Sequence, residues 1–350
     1  MLKLLPALFL LPLPLFANDT AATVGAGGIT FKKSNDISMD EELLKISSES
    51  VDVQYVFTNH AEKDVEETFA FPLPPSPHAQ RYSNWDESAF SYKFLYENEK
   101  KIGDSSDKMN TTNFAKWSPF LNFTVFVDGD ERVFNYQVRA HNKDGKDITS
   151  LLQKKKIPLS STYLTGYNED PPLEKMKNLK SKLKKLKLLN ANGLPSWTTT
   201  TTYYWSQWFE RKSSKKIRHA YSPATGSDWM EVEKDKNGKF APKFSLDQNP
   251  DFCIDQKALA NFYKEAEEFK KKKGYARQLR ASVVHYILQT ANNWSGPIKK
   301  FKLEVNAPKN ASTFFCFDHE VKKKGDLYIS EVSNFVPKRD LRIVFLNWVE

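Results

Sequence analysis

VQYVFTNHAEKDVEETFAFPLPP, residues 53–75, sets two alternating runs on either side of a polar hinge and drives the second into prolines. Val51, Val53, Tyr55 and Phe57 share one face of the first run, with Asp52 and Gln54 on the other. A period of two is the mark of a strand with one face in a core. After TNHAEKD the odd-numbered set resumes as Val65, Glu67, Phe69, Phe71 and Leu73. Pro72, Pro74, Pro75 and Pro77 then withdraw backbone donors, so a ladder ends there or runs along an edge. The expectation is a β-sandwich in which the prolines stop the strand so that the chain crosses to the other layer.

Working outward, the same alphabet recurs. Phe123, Val125 and Val127 alternate before Asp128-Gly129, and Phe134, Tyr136, Val138 and Ala140 alternate after it, which predicts a hairpin. WTTTTTYYWSQWF (197–209) is a β-branched and aromatic strand. From Ala281 onward, SVVHYILQT, FKLEV, TFFCF, LYIS and LRIVFL are strands separated by turn-rich spacers. Helical spacing appears in three places. Asp147 is placed to cap ITSLLQKKK, and Met176, Leu179, Leu183 and Leu186 form a narrow stripe in a lysine-rich run. Asp255 caps a helix bearing Leu259, Phe262, Tyr263, Ala266 and Phe269, which Gly274 stops. The predicted fold class is therefore mainly β, built of β-sandwich units with a few packing helices. Because 350 residues exceed what one core usually fills, a two-domain or extended sandwich is expected. Its parts would be a β-sandwich over 18–146, a helical, lysine-rich connecting segment over 147–195, and a β-rich domain over 196–350 with the amphipathic helix at 255–273.

Residues 1–17 read as a signal peptide: Lys3, then an apolar run from Leu4 to Phe16, then Ala17 as the point of cleavage. The run is shorter than the roughly 20 residues that span a bilayer, and Pro6, Pro12 and Pro14 suit a strand poorly. The mature chain is expected to be periplasmic or secreted, with no transmembrane span. Removing Lys3 takes the formal charge from +9 to +8, concentrated in EKMKNLKSKLKKLKLL (174–189) and FKKKK (269–273). The first run offers peripheral contact with an anionic surface, although lysine runs are more often solvated helix faces. Lysines without interleaved arginines and aromatics lack the forks and stacking planes of nucleic-acid readers, which argues against nucleic acid as a partner.

In an oxidising compartment two cysteines, Cys253 and Cys316, are expected to form a disulfide. The alternative uses the helix start at Asp255 to activate Cys253 as a nucleophile, with His285 or His319 as base. Tyr203, Trp205 and Trp208, together with His219, are the candidate ligand-binding residues, since aromatics stack on sugar rings. Filling a sandwich core is their commoner use, and Trp205 and Trp208 cannot share a strand face. No metal site is expected, because Cys316 and His319 are a lone pair. No cofactor is expected either, with neither phosphate-cradling glycine pattern in the sequence.

NDTAA, GGITFKKSNDISMDEELLKIS, VQYVFTNHAEKDVEETFAFPLP, RAHNKDGKDIT, TYYWSQWF, HAYSP, ILQTANNWSGPIKKFKLEV, FCFD and NFVPKRDLRIVFL together resemble the bacterial domain of unknown function 4424 family. The resemblance covers nearly the whole mature chain and implies an exported protein of similar length, with no catalytic residues to carry over. Tyr55, Phe57, Asn59, Phe69, Phe71, Pro72, Leu73 and Pro74 also resemble, over a short stretch, the VIT β-sandwich modules of extracellular proteins. The functional expectation is an exported, non-enzymatic envelope protein that binds or scaffolds an envelope protein or cell-wall polymer. The alternatives are a periplasmic hydrolase or transferase with a cleft at the domain junction, and a glycan or cell-wall binding protein.

Overall fold

A computed structural model describes residues 18–25, 28–73, 76–77, 121–157, 159, 173–191, 195–223, 226–244 and 252–349. The fold is mainly β and sandwich-like, with three sheets among the described residues. The largest sheet contains β3 (Ile37–Ile46), β4 (Val51–Asn59), β7 (Leu121–Val127), β8 (Asp130–Glu131), β11 (Ser214–Ser222), β15 (Ile298–Asn306), β17 (Lys322–Lys324) and β18 (Leu327–Phe335). Its order is β17-β18-β15-β3-β4-β11-β7-β8, and β15 joins β3 in parallel. A six-stranded sheet holds β1 (Thr20–Gly25), β2 (Gly28–Phe31), β5 (Val65–Pro72), β6 (Ser76–Pro77), β9 (Asn135–His141) and β10 (Thr198–Phe209). A five-stranded sheet runs β13 (Phe240–Phe244), β12 (Gly226–Lys234), β14 (Gln278–Tyr286), β19 (Leu341–Val349), β16 (Ser312–Phe315).

The two smaller sheets share one core with the large one. Across its inner face the register aligns Phe301, Glu42, Tyr55, Ile217 and Val127 in one row, and Leu303, Leu44, Val53, His219 and Val125 in the next. Phe69, Phe71, Tyr203, Trp205 and Phe209 from the six-stranded sheet, and Val284, Tyr286, Ile343 and Phe345 from the five-stranded sheet, complete a single buried cluster with that face. Trp294 joins the two halves, its ring 4.8 Å from those of both Phe57 and Phe69. Burial of this much aromatic and branched surface is the main stabilising term of the fold.

The hinge at 60–64 is where the chain changes layer. β4 lies in the large sheet and β5 in the six-stranded one; Glu210–Ser213 makes the same crossing from β10 to β11. Since β4 pairs with β11 and β5 with β10, the two arches stack. Buried Asn59 ties them: its N–H donates to Ser213 O at 2.9 Å and its Nδ2 to Glu210 O and Lys63 O, each at 3.0 Å. The prolines do not release the chain, contrary to the expectation above. Pro72 stays in register with Thr202, the Leu73 N–H donates to Thr201 O at 2.8 Å, and Ser76–Pro77 meet Thr199 and Thr198. Pro74 and Pro75 lie outside the described residues.

A second expectation also changes. β7 turns through Asp128-Gly129 into β8, but β8 holds only Glu131 and Asp130 against Phe126 and Val127. The chain then leaves for the other sheet, where β9 pairs with β10 from Asn135↔Tyr204 to His141↔Thr198. The run after the turn alternates because it is a strand of the opposite layer.

Two satellite cores carry the helices. α1 (Thr149–Lys154) and α2 (Leu173–Lys185) cover the end of the six-stranded sheet, burying Leu152, Leu183 and Leu188 with Ala140, Ile148 and Trp197. The α1 cap is Ile148, one residue past Asp147, whose Oδ1 nonetheless accepts the Thr149 N–H at 2.8 Å. α3 (Gln256–Lys273) seats Phe262 on Met230, Leu279, Ala281, Val344 and Leu346, the outer face of the five-stranded sheet. Asp255 accepts the Ala258 N–H at 2.6 Å, and Gly274 closes the helix at φ 82°. IVFL (343–346) reads as an unbroken apolar run because β19 is covered on both faces. Strands from either side of the 147–195 segment pair with one another (β3 with β15, β4 with β11, β5 with β10), so the sheets do not follow the expected split into 18–146 and 196–350.

Candidate functional site

Alternation on β10 decides where the aromatic candidates go. Tyr203 and Trp205 point into the shared core and are buried, while Trp208 faces outward with 53% of its surface exposed. His219 is fully buried on β11, its ring stacked on Phe123 at 5.5 Å between centroids and flanked by Trp205 and Tyr55. The four therefore share no surface. Trp197 is buried as well, its Nε1–H donating to Leu159 O at 2.7 Å.

His219 belongs to a polar cluster that the sequence reading passed over. Its Nε2 lies 2.9 Å from Asp19 Oδ2. Asn18 Nδ2 donates to both Glu42 oxygens at 3.2 Å, and the Tyr55 hydroxyl donates to Asn18 Oδ1 at 2.6 Å. Tyr286 OH lies 3.0 Å from Tyr55 OH and 3.5 Å from Glu42 Oε1. Thr290 Oγ1 and Trp294 Nε1 donate to the carbonyls of Asn18 and Asp19 at 2.9 and 2.8 Å. All of these side chains are sealed from solvent. Burial pushes the Glu42 carboxyl up to about 8 against the pull of Asn18, with the charge of Asp19 pushing the same way. Burial likewise raises Asp19, and the opposing attraction of His219 does not cancel it. The hydroxyls of Tyr55 and Tyr286 are held well above their ordinary value by burial, so they stay protonated donors.

The second arrangement is open. The outer face of the large sheet coils into a trough of about 1080 Å³. One row across it runs Phe126, Arg218, Gln54, Leu43, Lys302, Glu331, and its neighbour runs Lys216, Val56, Glu41, Lys300, Ser333. Cations and acids are paired across strands, Arg218 Nε donating to Asp52 at 2.9 Å, Lys300 reaching Glu41 at 2.8 Å and Lys302 reaching Glu331 at 3.3 Å, and along β15, where Lys302 reaches Glu304 at 3.1 Å. Arg218 also sits 5.6 Å over the Phe126 ring. Leu43, Val56 and Phe126 supply an apolar floor between the charges. Exposed pairs of this kind contribute little to stability, so their groups can exchange protein partners for ligand ones.

The nucleophile alternative meets a closed bond: Cys253 and Cys316 form a disulfide, with Cα atoms 5.2 Å apart. His285, offered as its base, is held neutral, its pKa lowered to about 3 by burial and then by Arg342. No group of three or more His, Cys, Asp or Glu able to hold a metal is found among the described residues. On α2, Leu183 is used in packing while Lys182, Lys184 and Lys185, and Lys187 just beyond, remain exposed. Among the described residues no helix is long and apolar enough to cross a membrane.

No curated protein matches the chain. Among solved structures, a Legionella pneumophila crystal structure described as a "putative nutrient binding protein" is similar at 15% identity and a TM-score of 0.37, over 90% of this chain and 68% of the other. That likeness is too loose to argue from. The model of one family, "Domain of unknown function (DUF4424)", matches residues 17–94 and 100–344, which is nearly the whole sequence, and the chain belongs to that family.

Proposed function

We propose that the protein is an exported, non-enzymatic binding module of the bacterial envelope, cut after Ala17, whose ligand lies across the trough of the large sheet. The observation that carries this reading is the trough itself: side chains from six strands of one rigid sheet converge on a concave face with fixed charges of both signs and an apolar floor. The groups with shifted proton affinities in the buried cluster lie on the opposite, sealed face of the same sheet. A closed disulfide is what an oxidising compartment preserves, which supports export. A cell-wall polymer carrying both amines and carboxylates matches a surface of paired charges.

Co-sedimentation with purified peptidoglycan sacculi tests this. The mature protein should pellet with sacculi at low salt and be released at high salt, as screening weakens exposed charge contacts. Replacing both Arg218 and Lys302 by Ala should lower the bound fraction about tenfold, the loss of two exposed charge-assisted contacts. No pelleting at low salt, or unchanged pelleting of the double variant, defeats the assignment.

A further inference from the structure

Asn18 and Asp19, the first residues after the expected cleavage point, have no exposed surface. They enter a cluster that is short of positive charge. Two carboxylates, Asp19 and Glu42, are buried together, and His219 is the single basic side chain in contact with either among the described residues. One acceptor is left over: Asp19 Oδ1 is buried and receives no hydrogen bond. Asn18 lies against Glu42, its side-chain amide donating to both carboxyl oxygens, and directly precedes Asp19, whose backbone N–H its Oδ1 accepts at 2.8 Å.

We propose that cleavage after Ala17 supplies the missing cation, the freed α-ammonium of Asn18 pairing with Glu42 and Asp19 inside the core, so that leader removal locks the fold. This deepens the export reading above and rests on it. In the step itself an envelope endopeptidase breaks the Ala17–Asn18 amide. Water gives its oxygen to the Ala17 carboxylate, and the Asn18 nitrogen, gaining protons, leaves as –NH3+. An amide nitrogen cannot neutralise a buried carboxylate. An ammonium can, and it brings three donors to a site with an unfilled acceptor. An α-amine ordinarily titrates at about 7.7–8.0; burial disfavours its charge and adjacent acids favour it, so pairing with the carboxylates is what would hold it charged in the interior. The side-chain and carbonyl bonds of Asn18 to Glu42, Tyr55 and Thr290 need no free amine. A purely structural anchor would therefore be indifferent to cleavage.

The test compares the chain released from a fusion with Asn18 as its first residue and a counterpart that keeps Ala17 behind a Gly-Ser extension. Glu42→Gln is made in both. The Asn18 form should unfold about 5 °C above the extended one, the shift that one to two lost interactions give in a chain of this size. Glu42→Gln should lower the midpoint of the Asn18 form and leave unchanged or raise that of the extended form. If the extended form does not fold, its rescue by Glu42→Gln supports charge pairing, and failure of rescue counts against it. Equal midpoints of the two parent forms, or a Glu42→Gln effect of the same sign and size in both, overturns the proposal. N-terminal sequencing of protein recovered from bacterial periplasm reads the export claim separately. Absence from the periplasm defeats export, a Met1 start there defeats cleavage after Ala17, each leaving the pairing result standing, and an Asn18 start with equal midpoints does the reverse.

Discussion

Glu42 owes its place in the core to one extra residue. β3 and β4 slip register between Met39 and Glu41, a bulge at Asp40 that moves the inward set from Ile37 and Met39 to Glu42, Leu44 and Ile46. In ISMDEELLKI the apolar positions change parity between Met39 and Leu44, and that was the available signal. In the chain that keeps its leader, folding holds the Glu42 proton up to about 8, whereas the unfolded chain releases it near 4.5. Between those values the native state binds the extra proton, so stability falls as pH rises, at up to about 1.4 kcal/mol per unit. Asp19, also raised by burial, adds in the same direction. Urea titrations across that window should show the decline, and Glu42→Gln should flatten it. Tyr55→Phe keeps the ring but removes the donor to Asn18 Oδ1 and the contact with Tyr286. Asn18 Oδ1 keeps the Asp19 N–H, so the change removes one buried hydrogen bond and should cost about 0.5–1.5 kcal/mol, visible as a lower urea midpoint.

Among the elements, α3 was legible almost to the residue, 255–273 against Gln256–Lys273, because its cap, stripe and stop are all local signals. Asp255→Ala should cost about 1 kcal/mol through the lost bond to the Ala258 N–H. Gly274→Ala meets no neighbour within 4 Å, so its cost of about 1–2 kcal/mol comes from the left-handed backbone alone. Hydrogen exchange within α3 should report both. The disulfide fastens the entry of this helix to the end of β16 across 63 residues. Replacing both cysteines by Ser should destabilise the protein by about 4 kcal/mol if closure of that loop sets the scale, measured by denaturation under non-reducing conditions. The strand after Asp128-Gly129 was legible as a strand and illegible as to partner. A hairpin arm and a strand that crosses layers carry the same alternation, and β10 lies some 60 residues downstream.

For the whole molecule, interleaving of the sheets has a direct consequence. A fragment ending near residue 157 lacks β10, β11 and β15, the partners of β5, β4 and β3. Neither that fragment nor its complement from residue 195 should give a cooperative unfolding transition alone, and mixing them should restore one. Two independently folding halves are the contrary outcome. The sequence by itself determined which residues face inward on most strands, where α3 starts and stops, and which two sulfurs are available to join, because each depends on side-chain period or on residue type. Only the tertiary structure decided that the layer change falls at the 60–64 hinge, that Tyr203, Trp205 and His219 fill a core instead of a platform, and that Asn18, Asp19 and Glu42 meet. Those outcomes depend on which distant strand supplies the partner, and a period-two pattern states that a strand has a buried face without stating what covers it.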